Sequence, residues 1–118
     1  SIYNTYKTIL GGVDGIYFLD EPQHSFCNRW LTNLVISKKL QQKINIEIIK
    51  KRFDQLNIET RFLWNPMHLQ PLFKDVPYFG GNVCENLFKS GICLPSTTTM
   101  TMEEVAEIAN LLKEMFYA

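Results

Sequence analysis

The apolar positions at the start of the chain follow a helical repeat. They fall on one face of an α-helix and are Ile2, Tyr6, Ile9 and Leu10. Gly11-Gly12 then ends the pattern. The spacing predicts a helix from Ser1 to Leu10. Because a domain seldom begins inside an uncapped helix, we expect this helix to be the end of a longer element.

Two apolar runs in the first third of the chain predict β-strands. The first, Ile16 to Leu19, follows an Asp-Gly turn signal, and the second, Trp30 to Ile36, is rich in aromatic and β-branched residues. The second run is apolar on both faces, which predicts a central strand in a sheet that is covered on at least one side. Between them, the composition of Asp20 to Asn28 predicts a loop.

Two further strands are predicted in the second half. Ile58 to Trp64 leads into the proline-bracketed segment Asn65 to Pro71. Cys93-Leu94 is expected to be a short edge strand that ends before Pro95.

Two helices are predicted between these strands. The first is an amphipathic helix from Asn45 to Asn57, in which Asn45 is a suitable N-cap. A second helix runs from about Asn82 to Lys89, with Gly91 as the residue just past its end.

The final helix has the clearest start signal. Thr101 and Glu104 have the spacing of a capping box, and an apolar stripe from Val105 to Phe116 follows, so this helix should pack on the sheet. The order of elements predicts an α/β (α+β) fold. We expect a two-layer sandwich, in which a small, mostly antiparallel sheet of three or four strands packs against helices. The pattern leaves the strand order open.

Composition narrows the class of protein. The chain has 118 residues, is 46% hydrophobic and has formal net charge +0, as expected of one globular domain. Scattered basic residues at zero net charge argue against nucleic-acid and anionic-membrane partners. No apolar run approaches the roughly 18 residues of a membrane span, and no signal-peptide pattern opens the sequence. We therefore expect a cytoplasmic setting.

The cysteines suggest no disulfide framework. Cys27, Cys84 and Cys93 form an odd set without a CxxC pair, and the two histidines lie far apart, so no zinc site is predicted either. We expect all three to be buried thiols.

The segment Arg61 to Phe73 is the least explicable as packing alone. It places Trp64, His68 and Gln70 around rigid prolines, and a strand followed by a proline-fixed loop presents side chains well at a cleft. A lone histidine between apolar neighbours is more typical of a structural group, and Arg61 is equally explicable as a structural ion pair. The cluster, rather than any one residue, indicates function.

The order of several strings resembles one enzyme family. WNPMHLQPLF at Trp64–Phe73 is followed by Pro77-Tyr78, by GICLPS at Gly91–Ser96 and by a Thr-initiated helix. This succession resembles the C-terminal part of the DegT/DnrJ/StrS aminotransferases. The first helix, with Tyr3, Tyr6 and Leu10, resembles the helix that links the large and small domains of that family, and Asn28 to Leu31 resembles its short strand entry. The resemblance covers essentially the whole chain.

The resemblance implies a domain organisation and a reaction. Residues 1–12 would be the end of the inter-domain helix and residues 13–118 the C-terminal small domain, with the large catalytic domain absent. Family members use pyridoxal phosphate to transfer an amino group from glutamate to a nucleotide-linked keto sugar in cell-surface polysaccharide or glycan biosynthesis. Their reactive lysine belongs to the large domain, and they act as homodimers. The 118 residues alone are thus expected to bind no cofactor, to hold no catalytic residue or metal, and to be inactive.

The resemblance also implies roles for four residues. His68, Met67 and Trp64 would line the substrate side of the cleft, and Gln70 would help to hold the loop.

Two alternatives remain at this stage. One is a stand-alone α/β binding or regulatory module, since such sandwiches carry many functions. The other is an RRM-like sheet that binds nucleic acid, but no strand shows the basic-aromatic alternation of that class.

Overall fold

Five α-helices and four β-strands follow one another along residues 1–118, all of which the computed structural model describes. The helices are α1 (Ile2–Leu10), α2 (Lys38–Gln41), α3 (Ile46–Gln55), α4 (Val83–Ser90) and α5 (Met102–Tyr117). The strands are β1 (Ile16–Phe18), β2 (Thr32–Ile36), β3 (Arg61–Phe62) and β4 (Gly91–Leu94). Two short 3-10 turns, Met67–Leu69 and Pro71–Phe73, lie between β3 and α4.

The strands form one antiparallel sheet in the order β1-β2-β4-β3. In the central pair, Leu34 of β2 lies opposite Ile92 of β4. The predicted fold class, a small and mostly antiparallel sheet with helices, is confirmed. The central position predicted for β2 is confirmed as well.

One face of the sheet carries the hydrophobic core. Side chains alternate along a strand, so Thr32, Leu34 and Ile36 of β2 share a face and are all buried. Helices α1, α3 and α5 close the core over this face with Tyr6, Phe53, Leu112 and Phe116. The sheet and these helices form the two layers that were predicted.

The opposite face is covered in part by α4. All four residues of β4 are buried, and α4 contacts both β4 and β2. Tyr17 of the edge strand β1 is 59% exposed. Partial cover on this face explains why β4 has no alternation of buried and exposed residues.

Three helix starts follow local hydrogen-bonding rules. The Thr101 hydroxyl accepts from the Glu104 amide at 3.2 Å while the Glu104 carboxylate accepts from the Thr101 amide at 2.8 Å, so the predicted capping box is confirmed. Asn45 caps α3 by accepting from the amide of Ile48. Helix α2, which was not predicted, is capped by Ser37, whose hydroxyl accepts from the amide of Leu40.

The prediction that Cys93-Leu94 forms an edge strand is wrong. β4 lies between β2 and β3 and pairs with both. Pro95 ends β4 along the chain, but a proline beyond a strand does not limit which strands pair beside it. The outer position belongs to β3, which contains only Arg61–Phe62 of the longer predicted run.

The prediction of three buried thiols is also wrong for two of them. Cys93 is buried, whereas Cys27 and Cys84 are exposed. Cys27 lies in the loop before β2, and Cys84 lies on the outer side of α4. Trp30, included in the predicted second strand, precedes β2 and is 75% exposed.

None of the helices combines the length and the hydropathy that a bilayer-spanning segment requires.

Candidate functional site

The segment Trp64–Phe73, hereafter the 64–73 loop, leaves the sheet directly after β3. Pro66 is buried and precedes the first 3-10 turn, and Pro71 is the first residue of the second turn. Because each ring fixes φ near −65°, the prolines hold two tight turns in succession. The loop has a defined shape although it lies outside the sheet.

The loop exposes large apolar side chains. Trp64 is 65% exposed, Met67 59% and Leu72 83%. Single exposed apolar residues are common, but several on one short loop mark a surface suited to binding. The predicted contact residues Trp64 and Met67 are therefore accessible to a ligand.

Gln70 closes the loop on itself. Its Nε2 donates to the backbone carbonyl of Asn65 at 3.2 Å and lies 3.5 Å from the sulfur of Met67. Since these bonds join the two ends of the first turn, Gln70 restrains the segment that carries Met67 and His68.

His68 is held from two directions. Its Nε2 lies 3.0 Å from Oε1 of Glu85, and its ring stacks on Tyr78 with centroids 3.8 Å apart and planes at 22°. The side chain of His68 is 16% exposed and that of Glu85 is 29% exposed. Of the four predicted site residues, His68 has the most restricted environment.

Sequence reasoning missed Glu85 and Tyr78 as partners of His68. Glu85 lies in the first turn of α4, where the helix dipole favours a carboxylate whether or not it has a side-chain partner. The contact spans 17 residues and no local spacing rule links its ends. Tyr78, next to Pro77, was noted only as part of a sequence string.

Arg61 forms an ion pair with Glu59 at 2.7 Å. Both side chains are about three-quarters exposed, at 77% and 75%, so the pair adds little stability. This contact agrees with the structural interpretation of Arg61.

The two largest grooves lie away from the loop. One, of about 960 Å³, lies between the start of α1, Arg29–Leu31 and Ser96–Thr98. The other, of about 600 Å³, lies between the C-terminal end of strand β4 and the start of α5. None of Trp64, Met67, His68 or Gln70 lines either groove. The 64–73 loop therefore lies outside both of these grooves.

The basic residues of the larger groove already have partners. Arg29 donates to the carbonyl of Leu19, pairs with Glu21 at 3.2 Å and lies over the ring of Tyr3. Lys7 pairs with Asp20 at 2.5 Å. This hydrogen bond raises the pKa of Lys7 and lowers the pKa of Asp20.

The lysines do not fit covalent attachment of pyridoxal phosphate. A lysine that reacts as a nucleophile needs a desolvated or electropositive site that lowers its pKa. None of the nine lysines is buried, and the pKa of Lys7, the lysine of the largest groove, is shifted in the opposite direction. No step of cofactor chemistry can therefore be assigned to residues of this chain.

Taken together, the fold and the loop define a small α/β domain with a restrained loop that exposes apolar side chains. The model of the DegT/DnrJ/EryC1/StrS aminotransferase family matches residues 1–113. The chain belongs to this family.

A relative in Bacillus subtilis (strain 168) extends the comparison. The chain is 39% identical over 121 residues to EpsN, a protein provisionally assigned as a pyridoxal phosphate-dependent aminotransferase. The match covers 99% of this chain and 30% of EpsN. The chain thus spans about a third of the length of this relative.

Solved structures share the fold at low sequence identity. A crystal structure of DesI in the presence of its TDP-sugar product has a TM-score of 0.83 at 19% identity, covering 98% of this chain and 29% of that chain. Helicobacter pylori PseC, an aminotransferase involved in the biosynthesis of pseudoaminic acid, has a TM-score of 0.82 at 17% identity, covering 98% and 31%. At such identities the likeness establishes the fold.

Proposed function

We propose that this chain is the C-terminal small domain of a pyridoxal phosphate-dependent sugar aminotransferase. Residues 1–12 form the end of the inter-domain helix and residues 13–118 form the small domain. A large domain of the same polypeptide supplies the lysine and the cofactor site. Two observations support this division: the chain spans 30% of EpsN, and its own lysines do not fit the cofactor.

The proposed reaction transfers an amino group from glutamate to a nucleotide-linked keto sugar. Pyridoxal phosphate supplies the electron sink for this transfer when it is bound to the whole enzyme. The TDP-sugar product of DesI, a protein of the same fold, supports a nucleotide-linked sugar as substrate. We assign the enzyme to cell-surface polysaccharide or glycan biosynthesis in the cytoplasm, acting as a homodimer.

In this proposal the 64–73 loop is one wall of the substrate site. Trp64 and Met67 provide apolar contact area, His68 provides a polar contact, and Gln70 holds the turn on which Met67 and His68 lie. The observation that carries the assignment is a histidine restrained by Glu85 and Tyr78 among exposed apolar side chains. A surface with exposed apolar side chains is suited to a site completed by another domain.

The family match favours this function over the two alternatives. It covers residues 1–113, which a stand-alone module of another class would not share. An RRM-like sheet would stack bases on aromatic residues of its central strands. Here the face opposite the core carries Asn33, Val35, Gly91 and Cys93 on those strands, and none is aromatic.

The test compares His68→Ala with the unaltered intact enzyme. We expect a higher KM for the nucleotide-linked keto sugar or a slower turnover, with the absorbance of the bound cofactor unchanged. His24→Asn is the control, because His24 is exposed and has φ of 65°, which asparagine tolerates. Unchanged kinetics in His68→Ala would reject the substrate contact. Failure to aminate any nucleotide-linked keto sugar with glutamate would reject the reaction.

A further inference from the structure

Glu85 and His68 form a carboxylate–imidazole pair on two separate elements. The Nε2–Oε1 distance is 3.0 Å, and both side chains are mostly shielded from water, with exposures of 29% and 16%. We propose that Glu85 is a positioning residue: it holds the proton of His68 on Nε2 and leaves Nδ1 as an acceptor for a hydroxyl group of the sugar. This inference rests on the proposed function for the contact with substrate.

The direction of the hydrogen bond follows from the chemistry of the two groups. An ionised carboxylate only accepts hydrogen bonds. Nε2 of His68 must therefore carry the proton that is donated to Glu85. In a neutral imidazole the other nitrogen then has a lone pair and no proton. Because the imidazole of His68 is hydrogen-bonded to Glu85 through Nε2, the lone pair of Nδ1 is the acceptor that the proposal assigns to a ligand.

Two further contacts keep the pair in place. The Tyr78 ring, stacked at 3.8 Å on the imidazole, restricts tilting of the ring, whereas the bond to Glu85 restricts its rotation. Lys89, one turn further along α4, lies 3.9 Å from the second carboxylate oxygen of Glu85. The imidazole ring and the carboxylate are thus each held by a second contact.

An unprotonated Nδ1 would favour one kind of ligand group over another. An Nδ1 lone pair accepts from a donor such as a sugar hydroxyl and repels the oxygen atoms of a phosphate. His68 would therefore contact the sugar of the substrate rather than its diphosphate. A His68 protonated on both nitrogens would have the opposite preference.

The first test observes the tautomer directly and requires no catalysis. The intact protein is labelled with ¹⁵N-histidine, and the His68 signals are assigned by their loss in His68→Ala. At a pH high enough to remove the proton of the imidazolium, we expect the neutral ring of His68 to be protonated on Nε2, and the other tautomer to become detectable in Glu85→Ala. A proton on Nδ1 of the neutral ring, or a tautomer ratio that Glu85→Ala leaves unchanged, would overturn the proposal.

The second test is a double-mutant cycle in the intact enzyme. Glu85→Ala should raise the KM for the keto sugar by about 10-fold, the scale of one lost hydrogen bond, with a smaller change in kcat. Glu85→Gln keeps an acceptor oxygen and should restore most of the affinity. In a His68→Ala background, Glu85→Ala should have no further effect, because it acts through His68.

A matched control separates positioning from general stability. Asp54→Ala removes an i,i+4 partner of Lys50 on α3, as Glu85→Ala removes an i,i+4 partner of Lys89 on α4. The control should leave the KM unchanged. A Glu85→Ala effect that is equally large with and without His68 would show a structural role and reject positioning. If the enzyme proves to have another activity, the proposed function fails, yet the tautomer measurement still decides the role of Glu85.

Discussion

The hydroxyl of Tyr6 donates a hydrogen bond of 3.0 Å to the carbonyl oxygen of Pro95. Tyr6 is fully buried in α1, and Pro95 is the residue that follows the internal strand β4. The bond joins the first helix to the sheet and satisfies a phenol group within the core. Burial raises the pKa of the Tyr6 hydroxyl well above the usual tyrosine value.

Replacing Tyr6 with phenylalanine tests the energetic value of this bond. The Tyr6→Phe variant keeps the ring but leaves the Pro95 carbonyl without its partner, so we expect the free energy of unfolding to fall by about 1–3 kcal/mol. Urea unfolding measures the difference. Tyr17→Phe is the matched control, since Tyr17 is 59% exposed, and it should have little effect. Equal stability of both variants would contradict this role for the Tyr6 hydroxyl.

The raised pKa of Tyr6 also predicts a dependence of stability on pH. A group with a higher pKa in the folded state holds its proton more tightly there than in the unfolded chain. Its contribution is therefore fully present below the ordinary tyrosine pKa of about 10 and is lost as the pH rises beyond it. Unfolding free energies measured at pH 8 and at about pH 11 should fall more for the unaltered protein than for Tyr6→Phe. An equal fall in the two proteins would oppose this linkage.

Gly91 is required by close packing where α4 meets β4. Its φ of −113° is ordinary extended backbone, so conformational freedom does not explain the glycine. A Cβ atom there would overlap the side chain of Leu63 and lie 2.9 Å from the Leu87 carbonyl oxygen. Because that oxygen belongs to the backbone of α4, Gly91→Ala should destabilise the protein by about 1–3 kcal/mol.

The control for this substitution is Gly12→Ala. No atom lies within 4 Å of a Cβ built at Gly12, so that variant should be close to neutral. Thermal or urea unfolding of the two variants makes the comparison. Similar losses of stability would show that replacing a glycine, rather than the overlap with Leu63, is responsible.

The capping box of α5 provides a local stability test. Thr101→Ala removes the hydroxyl that accepts from the Glu104 amide and should reduce the free energy of unfolding by about 1 kcal/mol. Thr98→Ala changes an exposed threonine outside the cap and should change stability far less. Urea denaturation would contradict the prediction if the two variants had the same midpoint.

The features predicted correctly from the sequence are those that depend on residues close together along the chain. The caps at Asn45 and Thr101 depend on groups three positions away, at Ile48 and Glu104, and these were found. The lateral position of β4 depends on pairing with strands distant in sequence, and it was assigned wrongly. Pro95 carries information about where β4 ends and none about what lies beside it.

The candidate site likewise has a part that local sequence predicted and a part that it did not. Prolines and apolar residues within one short string identified the 64–73 loop as a presenting segment, and the structure gives it exposed apolar side chains. The bond between His68 and Glu85 crosses 17 residues and depends on how α4 packs against the sheet. No local pattern could predict this bond, so the hydrogen-bond partner of His68 emerged only from the fold.

The reactivity of the three thiols tests their burial, which was predicted wrongly for two of them. Cys27 and Cys84 are exposed, whereas Cys93 is buried in β4, where burial raises the pKa of its thiol. Since the thiolate is the reactive form, Cys93 should react with iodoacetamide at pH 8 far more slowly than the other two. Mass spectrometry should detect two rapid adducts among these cysteines in the folded protein and a third after denaturation. A Cys84→Ser variant should retain one rapid adduct, and rapid modification of Cys93 in the native protein would contradict the internal position of β4.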